Sequence, residues 1–238
     1  MKKALLFLLF LPSFAFCQNA EQYVQEGYAK YLDHDYTGAI KLYDQAIVFD
    51  FKCRDAYYHR GLARIALKDY QGAVNDYTSA IVLKSDNPDM YNNRGTAKRY
   101  LNDLPGAIAD YSNAIGLDST FSEGYYNRGS SKAAMNNYKD AIIDYNEAIK
   151  YTPEYVEAYY NRANAEQNLK NYPAAIADYT KTIMLKPKAD VYLLRGLLRV
   201  KLNDKDSAFV DFSRSIEMNP RADALKFKQV DHIILIPS

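Results

Sequence analysis

Asn93, Asn127 and Asn161 recur 34 residues apart, with His59 at the same phase one period earlier. An amide side chain donates and accepts hydrogen bonds, so a regular row of amides can hold the backbone of an extended peptide while saying little about its sequence. Tyr58, Asn92, Tyr126 and Tyr160 each stand just before this row, and Ser130 and Asn164 follow it by three residues. Aromatic anchors beside small adaptable polar groups suit recognition rather than bond-making. A second constellation joins arginine to aspartate at a constant separation of 16: Arg60 and Asp76, Arg94 and Asp110, Arg128 and Asp144, Arg162 and Asp178, Arg195 and Asp211. Guanidinium and carboxylate pair bidentately, and a pair that repeats identically in every copy that has it is architectural rather than catalytic.

Other chemistry lacks its residues. His34, His59 and His232 show no metal-ligand spacing, no Gly-rich phosphate loop is present, and the paired carboxylates all follow the period. No catalytic site, cofactor or metal is therefore expected. The formal charge is +1, a balance that gives no general attraction to nucleic acid or anionic lipid.

The elements that carry these residues follow from the period. Tyr57 to Gly61, Tyr91 to Gly95, Tyr125 to Gly129 and Tyr192 to Gly196 share Tyr-x-x-Arg-Gly, and Tyr159 to Ala163 differs only in its last residue. With the motif glycine as position 8, six repeats result: 20–53, 54–87, 88–121, 122–155, 156–188 and 189–222. Position 4 is always tyrosine, position 20 alanine, position 24 tyrosine or Phe212, and position 28 isoleucine. Positions 4, 8 and 11, then 20, 24, 27 and 28, are spaced three or four apart and place one apolar stripe on each of two helices. Polar pairs from His34-Asp35 to Asn203-Asp204 lie between them and can cap the second helix. Small residues at 8 and 20 let the backbones approach, with the aromatics at 4 and 24 expected to fill the space above. Facing positions of such a hairpin sum to about 28, which brings 7 and 23 level as an ion pair. The first repeat has neither, carrying Glu26 and Leu42.

This pattern resembles the tetratricopeptide repeat, with its aromatics at 4 and 24, glycine at 8, alanines at 20 and 27 and proline at 32. The resemblance covers residues 20–220 and implies an all-α, right-handed superhelical solenoid of six helix-turn-helix repeats. It further implies that positions 2, 5, 6, 9, 12 and 13 face a concave groove. Tyr58, His59, Asn92, Asn93, Tyr126, Asn127, Ser130, Tyr160, Asn161 and Asn164 are then groove residues. Their asparagine row is similar to the ladder in the repeat domains of O-linked N-acetylglucosamine transferases, and its alternative is a solvated helix face. Position 2 is acidic throughout, from Glu21 to Asp190, either as a rail for a basic ligand or as a complement to helix dipoles. Family members that clamp chaperone tails carry lysine at position 5 and bases at position 2, so no carboxylate-clamp ligand is expected. The partner is instead a protein or an extended peptide. The alternative is an assembly component that oligomerises through its convex faces or apolar tail.

The chain opens on Lys2-Lys3, an apolar run from Ala4 to Leu11, Pro12, and small residues at Ala15 and Cys17. That order marks a secretory leader over 1–17 cut before Gln18, too short to span a membrane. It implies export to the periplasm or beyond. Lipidation at Cys17 is less favoured, because Phe16 occupies the place of a small residue. The repeat domain is expected over 18–222 and a capping tail over 223–238. With the leader gone, Cys53 has no internal disulfide partner.

Overall fold

The computed structural model describes residues 11–219, with side chains from Ala20 onward. The expected leader up to residue 10 and the whole expected tail, Ile233 to Ile236 included, lie outside the described residues. Within them the chain is all α: α1 (Leu11–Leu32), α2 (Tyr36–Phe49), α3 (Arg54–Ala66), α4 (Tyr70–Leu83), α5 (Pro88–Tyr100), α6 (Leu104–Leu117), α7 (Ser122–Ala134), α8 (Tyr138–Tyr151), α9 (Val156–Asn168), α10 (Tyr172–Leu185), α11 (Ala189–Lys201) and α12 (Lys205–Met218). The first helices α3, α5, α7, α9 and α11 begin at position 1 of their repeats. No described helix is long and apolar enough to cross a membrane.

The chain divides into two compact units, one ending at Ser131 and one starting at Lys132. In the first, α1 packs on α2, α3 on α2 and α4, and α5 on α4 and α6. In the second, α9 packs on α8 and α10, and α11 on α10 and α12. The second helices α2, α4 and α10 are thus each shared between their own first helix and the next one, so neighbouring hairpins within a unit bury each other's apolar stripes.

Turn chemistry fixes the hairpins. The residues before each second-helix cap, His34, Lys68, Asn102, Asn136, Lys170 and Asn203, all have φ between 61° and 63°. This left-handed step lets the next N–H reach back and close the first helix, as when Asp69 N–H bonds the Arg64 carbonyl at 2.8 Å. Asp35, Asp69, Asp103 and Asp204 then cap the second helix by accepting from the N–H three residues on. Asn137 and Asn171 hold the same place without that bond. Their amides donate instead to the carboxylates of Asp140 and Glu166, at 2.7 and 2.8 Å.

Alanine at position 20 is fully buried in all six repeats, and so are the rings at position 24, from Tyr43 at 0% exposure to Phe212 at 3%. The ring lies flat on the first helix at position 8. A Cβ on Gly61 would stand 2.8 Å from Tyr77 Cε1, and one on Gly196 2.6 Å from Phe212 Cε1. Glycine allows this close contact in those repeats, while the fifth carries the next smallest residue, Ala163, at the same place. The tyrosines at position 4 sit at the margin of this core: Tyr57, Tyr91, Tyr125, Tyr159 and Tyr192 are half-buried, and Tyr23 and Tyr192 pack against buried core residues. Each lies under the arginine three residues later, with the guanidinium carbon 5.4 to 5.6 Å from the ring centre. They flank a charge as well as bordering the hairpin core, a second role beside the expected packing.

Candidate functional site

The arginines at position 7 join two repeats. Arg60 meets Asp76 at 2.6 Å, Arg94 meets Asp110 at 2.6 Å, Arg162 meets Asp178 at 2.6 Å and Arg195 meets Asp211 at 2.5 Å. In all four pairs Nε adds a second parallel bond, to Asp76, Asp110, Asp178 and Asp211, at 2.7 to 3.0 Å. The remaining Nη1 reaches position 25 of the preceding repeat: Asp44, Thr78, Ser112, Asn146 and Thr180 accept from Arg60, Arg94, Arg128, Arg162 and Arg195. Position 11, expected on the apolar stripe, is instead charged in every repeat and adds a further cation in four of them. Arg64, Lys98, Lys132 and Arg199 approach Asp76, Asp110, Asp144 and Asp211 at 2.8 to 2.9 Å. Asp178, whose repeat has Glu166 there, has Arg162 alone among the described residues. Burial works against the charge on Arg60, and its bonds to Asp76 and Asp44 more than offset this, so its pKa is raised. The first hairpin follows no other among the described residues, and its Glu26 and Leu42 have no predecessor to hold. Position 25 escaped the sequence reading because four residue types fill it. Their one shared trait is a side-chain oxygen.

The first-helix faces carry the expected recognition residues. In the first unit, Asn93 Nδ2 donates to the Tyr58 hydroxyl at 3.3 Å, Asn127 Nδ2 to Asn92 Oδ1 at 2.9 Å, and Asn92 Nδ2 to Glu123 Oε1 at 3.0 Å. Position 5 of one repeat thus meets position 6 of its neighbour where adjacent first helices approach. Asn92 and Asn127 are buried, at 2% and 8% exposure, and Asn93, Tyr126 and Ser130 are half-buried. The amides of Asn92 and Asn127 are therefore spent on the fold, in contrast to a row of equivalent open amides.

His59 sits among rings, with centres of Tyr58, Tyr28 and Tyr43 at 5.3, 5.4 and 5.9 Å. Burial lowers its pKa below the ordinary imidazole value, against the pull of Asp55. Burial raises the pKa of Tyr58, reinforced by the Asp89 carboxylate, while the bond from Asn93 opposes the shift.

In the second unit Tyr160 leans on Tyr179, ring centres 6.0 Å apart, and the Tyr179 hydroxyl donates to Asn164 Oδ1 at 2.6 Å. Asn161 is half-buried. Tyr160 also lines a cavity of about 140 Å³ with Val156, Glu157, Thr182, Lys188, Asp190 and Val191. The acids at position 2 of α3, α5, α7, α9 and α11 all lie in the first turn, where they complement the helix dipole. Among the described residues no group of three or more His, Cys, Asp or Glu is placed to hold a metal.

Residues 61–98 and 129–170 match the family described as TPR repeat, and 156–188 and 189–221 match families described as Tetratricopeptide repeat. Together these matches span more than half of the chain. It is a tetratricopeptide repeat protein. No curated protein sequence matches it. Among solved structures of the same repeat fold, PilF of Pseudomonas aeruginosa has a TM-score of 0.76 at 17% identity, covering 91% of this chain and 99% of its own. PilW, described as a widely conserved type IV pilus biogenesis factor, has a TM-score of 0.75 at 19% identity, over 88% of this chain and 98% of that one. YrrB, described as a TPR protein with an unusual peptide-binding site, has a TM-score of 0.63 at 20% identity, over 74% and 95%. At these identities the likeness establishes the tetratricopeptide fold.

Proposed function

We propose that the chain is an exported, non-catalytic scaffold that binds a protein or an extended peptide along the first-helix faces of its repeats. The observation that carries this reading is the half-buried bond between Asn93 and Tyr58, which joins polar groups of adjacent first helices. A polypeptide backbone laid across that face can take over the same donor and acceptor, so binding costs little unmet hydrogen bonding. Asn161 and Tyr160 supply the same residue types in the second unit. The description of YrrB as a peptide binder and of PilW as an assembly factor agrees in kind with this role.

Export rests on the leader read at residues 1–17, followed by repeats over 18–222 and a tail over 223–238. Intact mass of the protein recovered outside the cytoplasm is expected to start at Gln18, and a mass retaining Met1 or carrying diacylglycerol contradicts export by this route. The binding role is tested by affinity purification from the native compartment. Specific recovery of a partner that Asn93→Ala/Asn161→Ala releases is expected. A partner retained unchanged by that variant overturns the reading.

A second reading is favoured by exposed apolar residues at position 29 of the second helices: Val48 at 85% and Val82 at 79% in the first unit, and Met184 at 73% in the second. On that reading the second helices mediate self-assembly. Sedimentation of the purified chain separates the two, since a monomer leaves those faces unused.

A further inference from the structure

The cavity at Tyr160 lies between the N-terminal ends of α9 and α11 and the last turns of α10. Val156 and Val191 form apolar walls, Tyr160 supplies a ring, and Glu157, Asp190, Thr182 and Lys188 supply the polar groups. A cavity of ~150 Å³ admits a benzene-sized group, so this one has room for a single side chain. No ion pair joins Glu157, Asp190 or Lys188 to another described residue. Asp190 Oδ1 accepts from the Val191 N–H at 3.0 Å. The Thr182 hydroxyl donates to the Asp178 carbonyl at 2.9 Å, which leaves its own oxygen able to accept.

Two carboxylates and a hydroxyl oxygen therefore stand around a sleeve made of two valines and an aromatic ring, against one resident ammonium. An alkyl chain ending in a positive charge matches both parts: its stem packs on valine and tyrosine, and its head meets the carboxylates. Glu157, Asp190 and Lys188 are exposed, so an apolar guest would leave the two carboxylates in water and gain nothing from them, and an anionic guest would meet two like charges. We infer that this cavity takes a cationic side chain, lysine or arginine, of the bound polypeptide. The inference rests on the first-helix reading above, which it extends by naming the chemistry of the partner.

The test uses the full chain, labelled with ¹⁵N, titrated with acetyl-Gly-Ser-Lys-Ser-Gly-amide and with the same peptide bearing norleucine or glutamate in place of lysine. The lysine peptide is expected to shift the Tyr160 and Val191 amide resonances saturably, at least about fivefold more tightly than either control. Glu157→Gln/Asp190→Asn should weaken it at least about threefold, whereas Lys188→Met should strengthen it. Those opposite signs distinguish charge recognition from a general loss of structure. Equal binding of the norleucine peptide, stronger binding of the glutamate peptide, or no shift with lysine on the unmutated chain overturns the inference. If the captured partner depends on Asn93 and Asn161 while the lysine peptide is ignored, the first-helix reading stands and this one falls. If lysine binds here and the partner ignores those asparagines, the outcome is the reverse.

Discussion

The hydroxyl of Tyr179 donates to Asn164 Oδ1 over 2.6 Å, joining position 24 of a repeat to position 9 of the same repeat. The third repeat repeats the arrangement with Tyr111 and Thr96 at 3.3 Å. The sixth removes the need for it, with Phe212 at 24 and Leu197 at 9. In the first two repeats position 9 is Tyr28 or Leu62, and the buried hydroxyls of Tyr43 and Tyr77 have no hydrogen-bond partner among the described residues.

An unpaired buried hydroxyl costs stability, while a paired one contributes about 1 kcal/mol. Tyr77→Phe should therefore leave the unfolding free energy unchanged or raise it by about 1 kcal/mol. Tyr179→Phe, which also strands Asn164 Oδ1, should lower it by about 1 to 3 kcal/mol. Denaturant titration of both variants measures the difference, and equal losses would show that the position 9 partner is irrelevant.

The arginine staple gives a sharper test at Arg94 and Asp110. The Asp110 side chain is 2% exposed and also receives Lys98. Removing one partner of a buried pair typically costs about 3 to 5 kcal/mol, because it leaves the other charge uncompensated. Asp110→Ala, which strands two cations, should be at least as costly as Arg94→Ala. The double change should cost less than the sum by at least about 1 kcal/mol. Strict additivity in urea unfolding would contradict the pairing.

His59 makes stability depend on pH. Burial lowers its folded pKa, so the unfolded chain binds the proton more readily. The native state therefore loses stability as pH falls through the unfolded value near 6.5 and toward the folded one. His59→Gln should flatten the fall in melting temperature between pH 7.5 and 5.5. An identical fall in the variant would assign the effect to other groups.

The repeat phase was legible because the fold uses identical side chains wherever two backbones meet: alanine at 20, an aromatic at 24, isoleucine at 28. The Arg60 and Asp76 geometry was legible for the same reason, since 7 and 23 do not vary from the second repeat on. The cation at position 11 and the acceptor at 25 were not, because arginine or lysine, and aspartate, threonine, serine or asparagine, serve equally there. The burial of Asn92 and Asn127 was hidden for another reason. It depends on which side chain the adjacent first helix presents, and no periodicity within one repeat contains that.

That burial decides which asparagines can test the central claim. Asn127→Ala strands Asn92 Oδ1 and weakens the fold, so Asn93 and Asn161 are the informative pair. Their replacement by alanine improves local helix propensity, which offsets the loss of the half-buried bond between Asn93 and Tyr58 and of the Asn161 contact, so the melting temperature should change little. Titration calorimetry of the Asn93→Ala/Asn161→Ala chain against the partner recovered from its native compartment should show affinity reduced at least about tenfold, or about 1.4 kcal/mol. Full affinity together with an unaltered melting temperature would show that these faces are merely solvated and that binding lies elsewhere.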